Sequence, residues 1–205
     1  ISETLRPVLP STRCFTLWSI ACEAAAGCES LFEYLHWLPM DRIGAPDFYP
    51  KLSRDMSSLD QRNLIYPIKE GLYVHLFPDP KGERDRYVPI EPHLTVNIAE
   101  IVSQVELKLF DFVEKIGAAE TPEEKQAELL KAIDQSVSTN GAGPDKIHVT
   151  PREMDALRYY LVREKIGFAL LSPFLLDPNI EDISCSGVGF IFIEKPARAA
   201  IRALC

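Results

Sequence analysis

Five cysteines, four histidines and a few adjacent acids are the residues of this 205-residue chain whose types can support chemistry. Cys14, Cys22, Cys28, Cys185 and Cys205 include no C-x-x-C pair. Zinc sets normally use pairs separated by two to four residues. Cys14, Cys22 and Cys28 are instead separated by seven and five. They lie on or beside one expected helix, which would spread them over almost four turns and prevent convergence on one ion. They are read as small buried or half-buried thiols; a metal set would need the helix broken at Gly27, with His36 or Cys185 completing it. His36, His75, His93 and His148 are dispersed, with no H-E-x-x-H and no G-x-S-x-G. Glu181 and Asp182 are adjacent acids that point apart in any regular structure, so they read as a solvated turn. No P-loop and no G-x-G-x-x-G occurs. Phe190–Ile193 followed by Glu194 imitates an acid after an apolar strand, but without a P-loop it reads as a core strand ending in a surface acid. Leu175-Leu176-Asp177 is read the same way. No catalytic, cofactor-binding or metal-ligating residue is assigned.

Composition narrows the classes further. Hydrophobic residues make up 46% and charged residues 25%, a globular balance. Twenty-two basic against 30 acidic residues give a net charge of −8, which disfavours nucleic acid as a partner. Lys81–Arg86 is mixed in sign and reads as an exposed hairpin tip. No uncharged apolar run reaches the roughly 18 residues a bilayer span requires. Odd cysteines without a signal peptide point to a reducing cytoplasm.

The elements that must position these residues fall in three stretches. Residues 1–63 hold a Pro-containing arm, an expected helix at 16–38 and an irregular connector. Residues 64–145 open with strands at Tyr66–Ile68, Leu72–Phe77 and Arg86–Ile90, with Asp79-Pro80-Lys81-Gly82 as turn chemistry. A long helix follows, capped by Asn97 with Glu100, on the apolar set Ile98, Ile101, Val102, Val105, Leu109, Phe112, Val113 and Ile116. Thr121-Pro122-Glu123-Glu124 is a capping box, opening a helix whose stripe is Ala127, Leu130, Ile133 and Val137. Residues 146–205 begin with a second capping box, Thr150-Pro151-Arg152-Glu153, and a helix to about Phe168. They end near a strand at Gly189–Glu194. An apolar strand without a partner is a hazard, so the chain is expected to be a piece of something longer. The fold class is α+β: a mixed accessory domain with a short hairpin sheet and several helices, plus the start of a second α/β domain.

Two stretches carry a resemblance. Tyr87-Val88-Pro89-Ile90-Glu91-Pro92-His93-Leu94 resembles the Glu-Pro signature of the N-terminal domain in archaeal secretion ATPases. Asp177-Pro178-Asn179-Ile180-Glu181-Asp182-Ile183, running on to Gly187, is similar to the D-P-x-I-E-D-I opening of the next domain. Tyr160, Arg163, Glu164, Gly167 and Leu170–Leu176 fit the approach to it. The chain thus resembles the N-terminal region of the type II/type IV secretion ATPase superfamily, the hexameric motors of type II secretion, type IV pili and the archaellum. The resemblance covers about 64–194. The family's continuation after this strand is absent: Glu194-Lys195-Pro196-Ala197-Arg198 departs from it, and 195–205 reads as a foreign or frameshifted tail.

The resemblance implies a part that couples and recruits while ATP and Mg are held elsewhere in the intact protein, so this chain should not hydrolyse ATP alone. It implies a cytoplasmic location at the inner face of the membrane, a membrane platform protein as partner, and self-association only within the intact hexamer. The acidic helix start at Glu123, Glu124 and Glu128 would suit a basic loop of that platform. The alternatives are a free-standing cytoplasmic protein-binding domain and a metal-binding module on Cys14, Cys22 and Cys28. For the Asp177 and Glu91-Pro92 segments themselves, the residues argue for fold maintenance over ligand contact.

Overall fold

A computed structural model describes residues 28–52, 63–79, 85–92, 98–141, 143–185, 187, 191–194 and 200–203. The fold is α+β. The chain forms two compact units: residues 1–91 with 173–205, and residues 92–172. The sequence divisions at 63/64 and 145/146 therefore fall inside these units, because strands and helices that are neighbours in sequence join different cores. Among the described residues, no helix is long and apolar enough to cross a membrane.

The first unit is built on one sheet. Helices α1 (Glu29–Trp37) and α2 (Met40–Ile43) precede strands β1 (Asp47–Phe48), β2 (Leu64–Lys69), β3 (Leu72–Pro78) and β4 (Asp85–Ile90). Residues 16–27 of the expected first helix, the Asp79–Gly82 turn beyond Asp79, and Asn97 lie outside the described residues. β2 and β3 form a hairpin through Glu70 and Gly71, whose φ of +75° is what a glycine supplies at no steric cost.

Strands β7 (Asp182–Cys185), β8 (Ile191–Glu194) and β9 (Ala200–Ala203) complete the sheet, in the order β1-β2-β3-β4-β9-β8-β7. The strand expected to stand unpaired is thus flanked by β7 and β9, both antiparallel to it. The segment read as a foreign tail contributes β9, which runs parallel to β4 at Arg86 and Tyr87. The strand prolines sit where an outer neighbour has ended. Pro67 lies beyond the two residues paired with β1, and Pro89 lies beyond the two paired with β9.

Strand alternation gives the sheet two apolar faces. Ile65 and Ile90, with the half-buried Tyr73, pack against Leu31 and Leu35 of α1 and Phe48 of β1. The expected helix at 16–38, through Leu31 and Leu35, and the expected connector, through Phe48, therefore contribute core residues. The opposite face carries Leu64, Tyr66, Val74, Leu76 and Tyr87, all buried.

The second unit is helical: α3 (Ile98–Leu109), a 3-10 turn at Phe110–Phe112, α4 (Val113–Ala118), α5 (Pro122–Ser136) and α6 (Pro151–Lys165), with β5 (Val137–Ser138) and β6 (Ile147–His148) pairing in parallel. Its core joins Val105 and Leu109 to Leu129, Ile133, Leu157 and Leu161. Both capping boxes close as read. Thr121 and Thr150 accept from the amides of Glu124 and Glu153, whose carboxylates accept from the threonine amides.

Two stripes differ from expectation. The 3-10 turn advances about 120° per residue instead of 100°. The helix after it is rotated by about 60° in consequence, which turns Val113 outward to 55% exposure. On α5 the buried set is Leu129, Ala132, Ile133 and Ser136, while Ala127 is exposed and Leu130 half-buried. α6 ends at Lys165, three residues before the expected Phe168. Gly167 follows because a Cβ there would lie 2.7 Å from Ser172 Oγ and 2.9 Å from the Arg163 carbonyl oxygen.

Both caps should be measurable in stability. Thr121→Ala and Thr150→Ala are each expected to cost about 1 kcal/mol, read as a lower urea midpoint at unchanged slope.

Candidate functional site

Two networks of buried polar groups lie in the sheet unit, one on each face; Asp79, also buried, pairs separately with Arg86 at 3.1 Å. The first centres on Asp177, only 3% exposed. Leu76 pairs with Leu64 on one side and Tyr87 on the other, and Val74 pairs with Tyr66. Tyr66 and Tyr87 therefore project from the same face. Both hydroxyls donate to Oδ2 of Asp177, at 2.5 Å from Tyr66 and 3.0 Å from Tyr87. Oδ1 accepts from the backbone N–H of Asn179 at 2.9 Å and from its Nδ2 at 2.8 Å.

Local chemistry puts the carboxylate there. The short helix α7 (Ser172–Leu176) ends just before it, and Pro178 biases Asp177 away from a helical backbone. An aspartate at a turn accepts from the amide two residues on, which is the bond made to Asn179. Phe174 of α7, 1% exposed, lies with its ring 5.2 Å from that of Tyr87. Burial, then the neighbouring phenol and the Asp177 carboxylate, push the Tyr66 hydroxyl above the usual tyrosine range. Burial and Asp177 do the same to Tyr87. Both phenols hold their protons and act as donors.

The second network is a chain of hydrogen bonds. Tyr34 Oη is 2.6 Å from His75 Nδ1, and His75 Nε2 is 2.7 Å from Asn63 Oδ1. Asn63 Nδ2 donates to the Ile43 carbonyl at 2.7 Å. That last bond fixes the amide orientation and hence every donor: Nε2–H donates to Asn63, and the Tyr34 hydroxyl donates to Nδ1. Three elements and the segment entering β2 are tied through one fully buried ring. Burial lowers the imidazole pKa from 6.5 to about 3 and raises the Tyr34 phenol above its ordinary value.

Among the described residues, Asp177 accepts from four donors and His75 bonds two partners. Among the described residues, no three His, Cys, Asp or Glu side chains converge to hold a metal. Cys28 is half-buried, with its thiol 4.0 Å from the Gly71 carbonyl oxygen, and Cys185 is exposed; Cys14, Cys22 and Cys205 lie outside the described residues. Glu181 and Asp182 are exposed, as expected, but Asp182 opens strand β7 and pairs with Glu194 instead of lying in a turn; Ile180 and Ile183 are half-buried beside them. His148 is exposed at the end of β6.

The sequence reading missed Asp177 as a buried acceptor and did not single out Tyr66. A usable signal existed, because Tyr87 and Asp177 open the two segments that resemble family signatures. Along the approach to Asp177, the Arg163 guanidinium lies 5.4 Å from the Tyr160 ring centre and pairs with Glu164 at 2.8 Å.

Two tests follow from these geometries. Tyr87→Phe should cost about 1.5–3 kcal/mol, because it removes a donor to a buried carboxylate. A double-mutant cycle with Asp177→Asn should give a coupling of about 1 kcal/mol or more in urea unfolding; additive losses would refute the pairing. The second test concerns acid. The unfolded imidazole of His75 takes up its proton near pH 6.5 and the folded one near pH 3. Between these values the unfolded state binds more protons, so stability present above pH 6.5 is lost as the pH falls. The contribution approaches about 1.4 kcal/mol per pH unit, and His75→Gln should flatten that part of the stability profile.

No model of a known protein family matches the chain. Two uncharacterized proteins of the archaeon Methanocaldococcus jannaschii are similar to it. MJ0900 is 32% identical over 181 residues, covering 80% of this chain and 32% of that protein. MJ1288 is 30% identical over 122 residues, covering 54% of this chain and 43% of that protein. The chain spans about a third of the length of the first relative and less than half of the second.

Proposed function

We propose that this chain is the N-terminal docking and coupling region of a hexameric secretion or pilus-assembly ATPase. The observation that carries the reading is the hydrogen bond from Tyr87 to Asp177. These residues open the two segments that resemble the family's signatures, and they lie 90 positions apart. A structural bond between them gives both segments one physical reason to occur together. Similarity to an archaeal protein of which the match covers 32% is compatible with a region of a larger machine.

The role proposed is mechanical and not catalytic. Asp177 ties the segment leaving the helical unit to the sheet, so a displacement applied to that segment is passed to β2 and β4 together. ATP and Mg would be held by a motor domain in the intact protein, which would also hold the hexamer together. The region would lie in the cytoplasm, against the inner face of the membrane.

Docking is assigned to the start of α5. Glu123 is exposed, and Glu128 pairs with Lys131 at 2.6 Å on the helix surface. Glu124 closes the capping box, so reversing its charge would disturb the helix start as well as the surface. The partner proposed is a basic cytoplasmic loop of the membrane platform protein.

A pull-down of this chain on that loop should lose about tenfold in affinity with Glu123→Lys and Glu128→Lys combined, and should weaken with added salt. Retained affinity in the double variant would remove α5 as the docking surface. Failure of the unmodified chain to bind would favour a free-standing binding domain.

A further inference from the structure

The helical unit contains an open apolar groove of about 600 Å³ that the docking role of α5 does not use. Leu109, Ile116, Leu129 and Ile166 line it, together with Phe110 and Val113. The 3-10 turn creates it by rotating the helix that follows. Phe110 is 73% exposed and Val113 55%. Leu107, one 3-residue step before Phe110, is 70% exposed and continues the apolar stripe along α3. Isolated exposed apolar side chains are ordinary, but a row of three running into a groove is a surface built for cover.

The charges at this groove indicate what covers it. Glu106, Lys125 and Lys165 are its charged lining residues. Lys165 is held by Glu106 at 2.6 Å. Lys125 has no ion pair among the described residues and stands half-buried beside the apolar floor. In a chain of net charge −8, this groove therefore offers an unpaired cation next to apolar surface. A ligand complementary to it brings apolar side chains and one carboxylate.

The shape favours a helix over a compact small molecule. The exposed stripe from Leu107 to Val113 follows roughly 9 Å of helix at 1.5 Å per residue, the spacing over which an amphipathic helix places successive anchors. We propose that the groove between α3–α4, α5 and the end of α6 binds an amphipathic helix of a partner protein. That helix presents apolar anchors to Phe110 and Val113 and an acidic residue to Lys125. The occupant differs in charge from the basic loop assigned to the start of α5, so this proposal does not depend on that reading.

The probe is a pair of dye-labelled 18-residue peptides with Leu at helical spacing, one carrying Glu beside the Leu stripe and the other Lys at the same positions. Fluorescence anisotropy with the intact chain should show the Glu peptide binding about tenfold more tightly than the Lys peptide. Lys125→Gln should erase that preference, and Phe110→Ala should weaken both peptides about tenfold. Phe110 and Lys125 lie at the surface, so both variants should keep the unfolding midpoint of the parent chain. Equal binding of the two peptides, or a preference that survives Lys125→Gln, overturns the proposal. So does saturable binding of a fatty acid that blocks the Glu peptide while remaining indifferent to Phe110→Ala.

Discussion

A single buried carboxylate organises the sheet unit. Asp177 lies beneath one face of the sheet and accepts from tyrosines on β2 and β4, which are separated by β3. Its other oxygen is held by Asn179 within its own turn. A buried carboxylate is costly without donors and strongly directional with them. Because both tyrosines donate to the same oxygen, the turn after α7 has one permitted position over the sheet. The strands that follow it, β7 to β9, are set in register from that point.

The parts of this fold that were legible in the sequence are those in which cause and effect are local. Thr121 and Thr150 announce their helices because a capping box involves only residues three apart. The β2–β4 meander is likewise written in the alternation of its strands. The donors of Asp177 were illegible for the opposite reason: they lie 90 and 111 residues earlier, on strands that nothing near Asp177 announces. Val113 was misplaced because helical periodicity assumes a constant angular step, which the 3-10 turn at Phe110–Phe112 violates. β9 was missed because Ala200–Ala203 has little strand character of its own; pairing with β8 and β4 defines it.

The two buried networks have a common logic. Each uses a single polar side chain to join elements that apolar packing alone would hold with less directionality. His75 joins α1, β3 and the entry to β2, while Asp177 joins β2, β4 and the turn after α7. In both cases burial fixes the proton on the donor, so the bonds have one polarity and one arrangement. The helical unit shows a different character, with apolar packing inside, ion pairs such as Arg158 with Asp134 on its surface, and an apolar groove left open.

The helical unit is also an interruption in the chain of the sheet unit: 92–172 stand between β4 and the segment that returns to it. Synthesis proceeds from the N-terminus at roughly 5–20 residues per second. The meander therefore emerges well before Asp177 and must wait, with its tyrosine hydroxyls unmatched, until the helices have been made. Helices rely on near neighbours and form quickly, whereas contacts across long separations are slow. The insert can thus reach its native form first. For a nascent chain, the length of the helical unit sets the delay before the sheet can close.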